Sequence, residues 1–120
     1  QVKPSYGLGD EQIARMLQDS FTTAEADMKA RAVTEARVDA DRMLIATQSA
    51  RAADADLLDA AQHADIDALM QALHAAQSSD DAAFIEAATQ ALAKGTEHFA
   101  ALRMNRSIQQ ALAGRNIEAI

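Results

Sequence analysis

An all-α fold, with a protruding helical arm leading into a small antiparallel helical bundle, is predicted by three features of this 120-residue sequence. Thirty residues are alanine, which loses no side-chain entropy on entering a helix. From Asp10 to Lys94 the chain carries neither Gly nor Pro, so no strong helix breaker interrupts 85 residues. Apolar residues recur through that stretch at the i, i+3, i+4 spacing of a helix face.

Residues 1–9 hold the one Pro and two of the four Gly, and read as a linker or strand end leaving another structure. Because Gln1 rather than Met comes first, the chain is expected to be a piece of a longer protein. The first helix starts at Asp10, whose carboxylate suits a cap, and Glu11 suits the positive end of the helix dipole. Ile13, Met16, Leu17 and Phe21 form its apolar stripe. Thr22 with Glu25 matches a capping box, which predicts a break or bend at Thr22 or Thr23.

A second helix then runs from about Ala24 into the low fifties, with Met28, Ala32, Ala36, Met43 and Ala50 on one side. Thirty residues at 1.5 Å each span about 45 Å. That exceeds the width of a compact domain of this size, so the helix must protrude and its apolar side needs a partner. The third helix carries Leu58, Ala61, Ile66, Leu69, Met70 and Leu73, and stops at Gln77-Ser78-Ser79, with Asp80 placed to cap the next. The fourth carries Phe84, Ile85, Ala88 and Leu92 up to Gly95. The last carries Phe99, Leu102, Ile108 and Leu112, with Gly114 as a C-terminal cap. The arm is thus expected over about 10–53 and the distal bundle over about 38–113.

The composition excludes several functions. With no Cys there is neither a disulfide framework nor a thiolate metal site. A net charge of −7 argues against nucleic acid, and no apolar run reaches the roughly 18–20 residues of a membrane span. No phosphate-binding glycine loop or nucleophile elbow is present. His63, Asp67, Met70 and His74 share one side of the third helix, but His63 and His74 lie about 16 Å apart along it. They cannot share a metal ion, so His63 is expected to pair with Asp67 at i, i+4.

Residues 52–93 hold eight acids (Asp54, Asp56, Asp59, Asp65, Asp67, Asp80, Asp81, Glu86) and no Lys or Arg, which reads as a solvated acidic face or an acidic docking surface. Arg103, Arg106 and Arg115 suit the negative end of the last helix. Three function classes fit these constraints: a regulatory interaction module, a free-standing helical scaffold or adaptor, and a helical metal-dependent enzyme. The loose Ala and Met spacing of the second helix is not the sustained heptad pattern of a coiled-coil adaptor.

The run Lys3-Pro4-Ser5-Tyr6-Gly7-Leu8, followed by Asp10, Glu11, Ile13 and Met16, resembles the exit from the peptide-binding β-sandwich into the lid of DnaK-type chaperones, the seventy-kilodalton heat-shock family. Pro4-Ser5-Tyr6 is closer to the members that serve iron–sulfur cluster assembly. Asp19, Ala24-Glu25-Ala26-Asp27 and Lys29, then Phe99-Ala100-Ala101, Arg103-Met104, Ser107 and Ala111-Leu112, continue the likeness along the whole chain.

The resemblance implies a non-catalytic lid over residues 10–120 that closes on client peptide held by a separate β-sandwich, under control of ATP bound in a separate ATPase domain. It implies that Ile13, Met16, Leu17, Met43 and Leu44 face the sandwich and that Asp41 is a latch carboxylate. One turn later Ile45 departs from the family, which has a His there. The implied partners are an iron–sulfur scaffold protein as client and a J-domain co-chaperone. The tail, Asn116-Ile117-Glu118-Ala119-Ile120, lacks the acidic tetrapeptide of eukaryotic cytosolic relatives, which implies a bacterial cytoplasmic member. Without its sandwich, the chain is expected to form a homodimer through the first and second helices.

Overall fold

The computed structural model describes residues 9–119, with side chains through Arg115. The expected linker, including the Pro-Ser-Tyr run, and the side chains of the tail lie outside the described residues. Four helices follow one another: α1 (Asp10–Asp54), α2 (Ala60–Ala76), α3 (Ala82–Gly95) and α4 (Glu97–Ala119). A 3-10 turn (Ala55–Leu57) joins the first two. Among the described residues there is no strand.

The arm is a single helix where two were expected. Thr22 does not turn its hydroxyl outward as a cap but donates it to the Gln18 carbonyl one turn back, at 2.9 Å. That bond satisfies the side chain inside a continuous helix, and with no Gly or Pro nearby nothing ends the ladder. Asp10 begins α1 as expected, yet the capping position belongs to Gly9, which offers no side chain. Asp10 and Glu11 therefore act on the first turn through charge alone.

Two further expected caps also fall elsewhere. Asp81, not Asp80, accepts from the Ala83 and Phe84 amides at the start of α3 (3.0 and 3.3 Å), leaving Asp80 to pair with Arg37. Gly114 does not stop α4, which runs on to Ala119. The missing side chain at Gly114 weakens a helix without ending it.

Order of contact explains the shape. Gln77, just past the end of α2, donates to the Arg37 carbonyl, and Arg51 reaches Asp67, so α2 runs back antiparallel to α1. α3 reverses again and packs against both. Leu73, Ile85 and Leu92 are fully buried between the three helices, together with Ile66, Val33, Ala36 and Ala40. Alanine at 36 and 40 lets the neighbouring backbone approach α1 closely. At the α3–α4 corner, Gly95 sits against the side chain of Leu69 where a Cβ would intrude.

α4 holds on through Phe99 and Leu102 and then leaves the bundle. The first buried residue of α1 is Val33, and Lys29 and Ala30 line clefts beside Asp80, so residues 10–28, about 28 Å of helix, stand clear at the other end. The result is a rod of 101 × 36 × 16 Å with a radius of gyration of 25.6 Å, against about 14 Å for a compact chain of this length.

Candidate functional site

α1 carries two apolar faces on roughly opposite sides of one helix. In its C-terminal half, Val33, Ala36, Ala40 and Thr47 are buried against the bundle, with Met43, Leu44 and Ala50 packed at the margin. In its N-terminal half, Ile13, Met16, Leu17, Phe21 and Met28 lie on the other side, each 45–70% exposed. Leu17, Val38 and Ile45 are separated by multiples of seven, close to two turns each, so Val38 and Ile45 continue the exposed face along the back of the bundle.

The structure therefore divides the residues expected to face a partner. Ile13, Met16 and Leu17 are free to do so. Met43 and Leu44 are half-buried on the bundle side, and Met43 lines a cleft of about 150 Å³ with Thr47, Phe99 and Arg103. Asp41 is exposed on the flank between the two faces, near Val38 and Arg42, and has no ion-pair partner among the described residues. Val38 was missed as a surface residue, and Ile45 was noted only as standing where the family has a His. Their spacing from Leu17 was the available signal.

Seven of the eight acids of the acidic stretch are exposed, as a solvated face requires, and six of the eight also serve as caps or ion-pair partners. Asp59 caps α2 in a reciprocal box with Gln62, an Asp-x-x-Gln pattern legible in the sequence, and Asp81 caps α3. Asp67 binds Arg51 rather than His63, and Arg51 also reaches the Met70 sulfur. His63 donates instead through Nε2 to the Ala55 carbonyl at 2.8 Å, pinning the turn between α1 and α2. Among the described residues no group of His, Asp and Glu could hold a metal ion.

Arg103 and Arg106 do more than offset a helix end. The Arg103 Nε donates to Asp54 at 2.7 Å, and Arg106 bridges Asp54 and Asp56, so the two arginines clamp α4 to the end of α1. The Arg103 guanidinium beside it, helped by Arg106, holds the Asp54 carboxyl below its usual value. Arg106 does the same for Asp56, and the paired carboxylates raise Arg106 in turn. This arrangement binds and orients helices.

The family model described as "Hsp70 protein" matches residues 1–105. The chain is 69% identical over 119 residues to a protein named "Chaperone protein HscA homolog" from Delftia acidovorans, covering 99% of this chain and 19% of that relative. Proteins of the same name from Verminephrobacter eiseniae and Burkholderia thailandensis are 68% and 60% identical, with the same coverage. The chain thus spans about a fifth of the length of the curated relatives it matches. Among the described residues no helix is long and apolar enough to cross a membrane. With nearly all of its helical scaffold inside one family match, and an HscA-like sequence from end to end, the chain belongs to the Hsp70 chaperone family.

Proposed function

We propose that this chain is the lid of a chaperone, closing over client peptide held by a β-sandwich elsewhere in the parent protein. The exposed apolar face of α1 carries the reading. Large side chains facing water along an arm whose far end is anchored in a packed bundle signal a surface awaiting cover. The covering surface is assigned to Ile13, Met16, Leu17 and Phe21 in the arm, extended by Val38 and Ile45, with Asp41 as a latch on its edge. Met43 and Leu44 are assigned to the bundle that stiffens the arm.

In this reading the chain is a non-catalytic part, and ATP bound in a separate domain of the parent governs opening and closing. The sequence carries no glycine-rich phosphate-binding motif, and no nucleotide-binding role is assigned to its residues. The family resemblance of the sequence supports a parent that serves iron–sulfur protein maturation in a bacterial cytoplasm, with an iron–sulfur scaffold protein as client and a J-domain co-chaperone. The relatives' shared name, "Chaperone protein HscA homolog", is consistent with a chaperone.

The test is peptide release from the full-length parent in its ADP state. Asp41→Ala should speed release by about two- to tenfold, since an exposed ion pair is worth about 0–1 kcal/mol and a partly covered one somewhat more. Ile45→Glu should speed it further by placing a charge in an apolar contact. Unchanged release in both variants, with helix content intact, would remove the lid assignment.

A further inference from the structure

We propose that α4 is a detachable strap, which undocks from α1 about a joint at Thr96 while α1–α3 stay folded, and whose hold is set by the clamp of Arg103 and Arg106 on Asp54 and Asp56. Undocking uncovers an apolar wall of α1 formed by Met43, Ala46, Thr47 and Ala50.

The attachment is thin for the length of helix it holds. α3 buries Ile85 and Leu92 completely within 14 residues, whereas among the described side chains of the longer α4 only Phe99 is buried. Leu102, Arg103 and Arg106 are half-buried, and from Ser107 to Arg115 every side chain is exposed. Around Phe99 the two helices are not close-packed, since the cleft of about 150 Å³ stays open between them. Few buried contacts mark the part of a fold that opens first.

Thr96 is the one residue between α3 and α4. Its amide and its hydroxyl both donate to the Leu92 carbonyl, at 3.0 and 2.9 Å, and its own carbonyl accepts from the Ala100 amide at 2.9 Å. It is therefore tied to α3 on one side and to α4 on the other. A change in its backbone angles, φ −105° and ψ 3° when docked, swings α4 while both helices keep their own ladders.

Charge holds what packing does not. The side chains of the clamp are 18–69% exposed, so dissolved salt reaches them. The Arg103 guanidinium also lies over the Phe99 ring, 5.9 Å from its centre, so clamp and apolar anchor let go together.

The test is amide exchange of this chain at neutral pH, which needs no parent protein and so can fail separately from the lid reading. The Leu102–Arg106 amides should exchange through an opening that leaves Leu73 and Ile85 protected. Raising salt to about 0.5 M should speed them about three- to tenfold without changing Leu73 or Ile85. Arg106→Glu should speed them about tenfold at low salt, and adding Asp56→Arg should win back most of that loss by restoring an ion pair of reversed sign. Met104→Glu puts the same charge on an exposed face of α4 away from the clamp, and should change little. Exchange of α4 in step with Leu73 and Ile85, no response to salt, a double reversal no better than Arg106→Glu alone, or equal damage from Met104→Glu would overturn the proposal.

Discussion

The two halves of α1 obey opposite rules while sharing one unbroken backbone ladder. From Val33 onward the buried positions are small, with Ala36 and Ala40 almost wholly covered, and the neighbours come close because little side chain stands between them. From Ile13 to Met28 the apolar positions are large and face water. Size alone thus misleads about burial. The bundle half of the helix is selected for close approach, and the arm half for reach.

The largest contrast should appear when one apolar side chain is shortened on each side of that divide. Leu92→Ala opens a cavity in a fully enclosed site and should cost about 2–5 kcal/mol in chemical denaturation. Leu17→Ala, at an exposed arm position, should change stability by less than about 0.5 kcal/mol. Comparable losses would mean the arm is packed in solution.

A smaller effect separates the two aspartates at the α2–α3 turn. Asp81→Ala removes the α3 cap and should cost about 1 kcal/mol. Asp80→Ala breaks only an exposed pair with Arg37 and should cost about 0–1 kcal/mol, at the low end. The reverse order would return the cap to Asp80.

The glycines sharpen the comparison in miniature. Gly114→Ala, in open space, should strengthen the end of α4 by about 0.5–1 kcal/mol, read as slower amide exchange there. Gly95→Ala gains the same propensity but pushes its Cβ into Leu69, so the benefit should vanish or reverse.

Acid should give the most local response of all. A carboxyl held below its usual value stabilises the fold above the unfolded value, and that contribution is lost as pH falls through the folded one. Asp54 and Asp56 are such groups, so the α4 clamp should loosen below about pH 4. Faster amide exchange near Phe99 and Arg103, ahead of exchange at Leu73, would show it.

Helical class, the order of helices and the Ile13–Phe21 stripe were legible from alanine content and spacing, but Met28, grouped by spacing with Ala36 and Met43, stands exposed short of the bundle. Continuity through Thr22 was not legible, because a Thr-x-x-Glu pattern is compatible with both a helix start and a helix interior. Only the choice between the Thr22 amide-cap geometry and its bond to Gln18 decides it. Spacing likewise placed Met43 on a stripe without saying which neighbour covers it. The resemblance alone turned Met43 and Leu44 towards a sandwich, whereas the chain's own bundle half-buries both. The Arg103 and Arg106 clamp joins residues about fifty positions apart, beyond the reach of any local pattern. His63 lost its expected partner for the same reason, since Arg51 arrives from another helix to take Asp67.

Continuity through Thr22 also makes the arm a lever. Its fulcrum is the packing at Val33, Ala36 and Ala40, and its tip at Asp10 lies about 35 Å away. A rotation of about 10° at that fulcrum sweeps the tip through about 6 Å, slightly more than one helical turn. A methyl group added at Ala36 or Ala40 would therefore be felt as a displaced Ile13, far from any atom it touches.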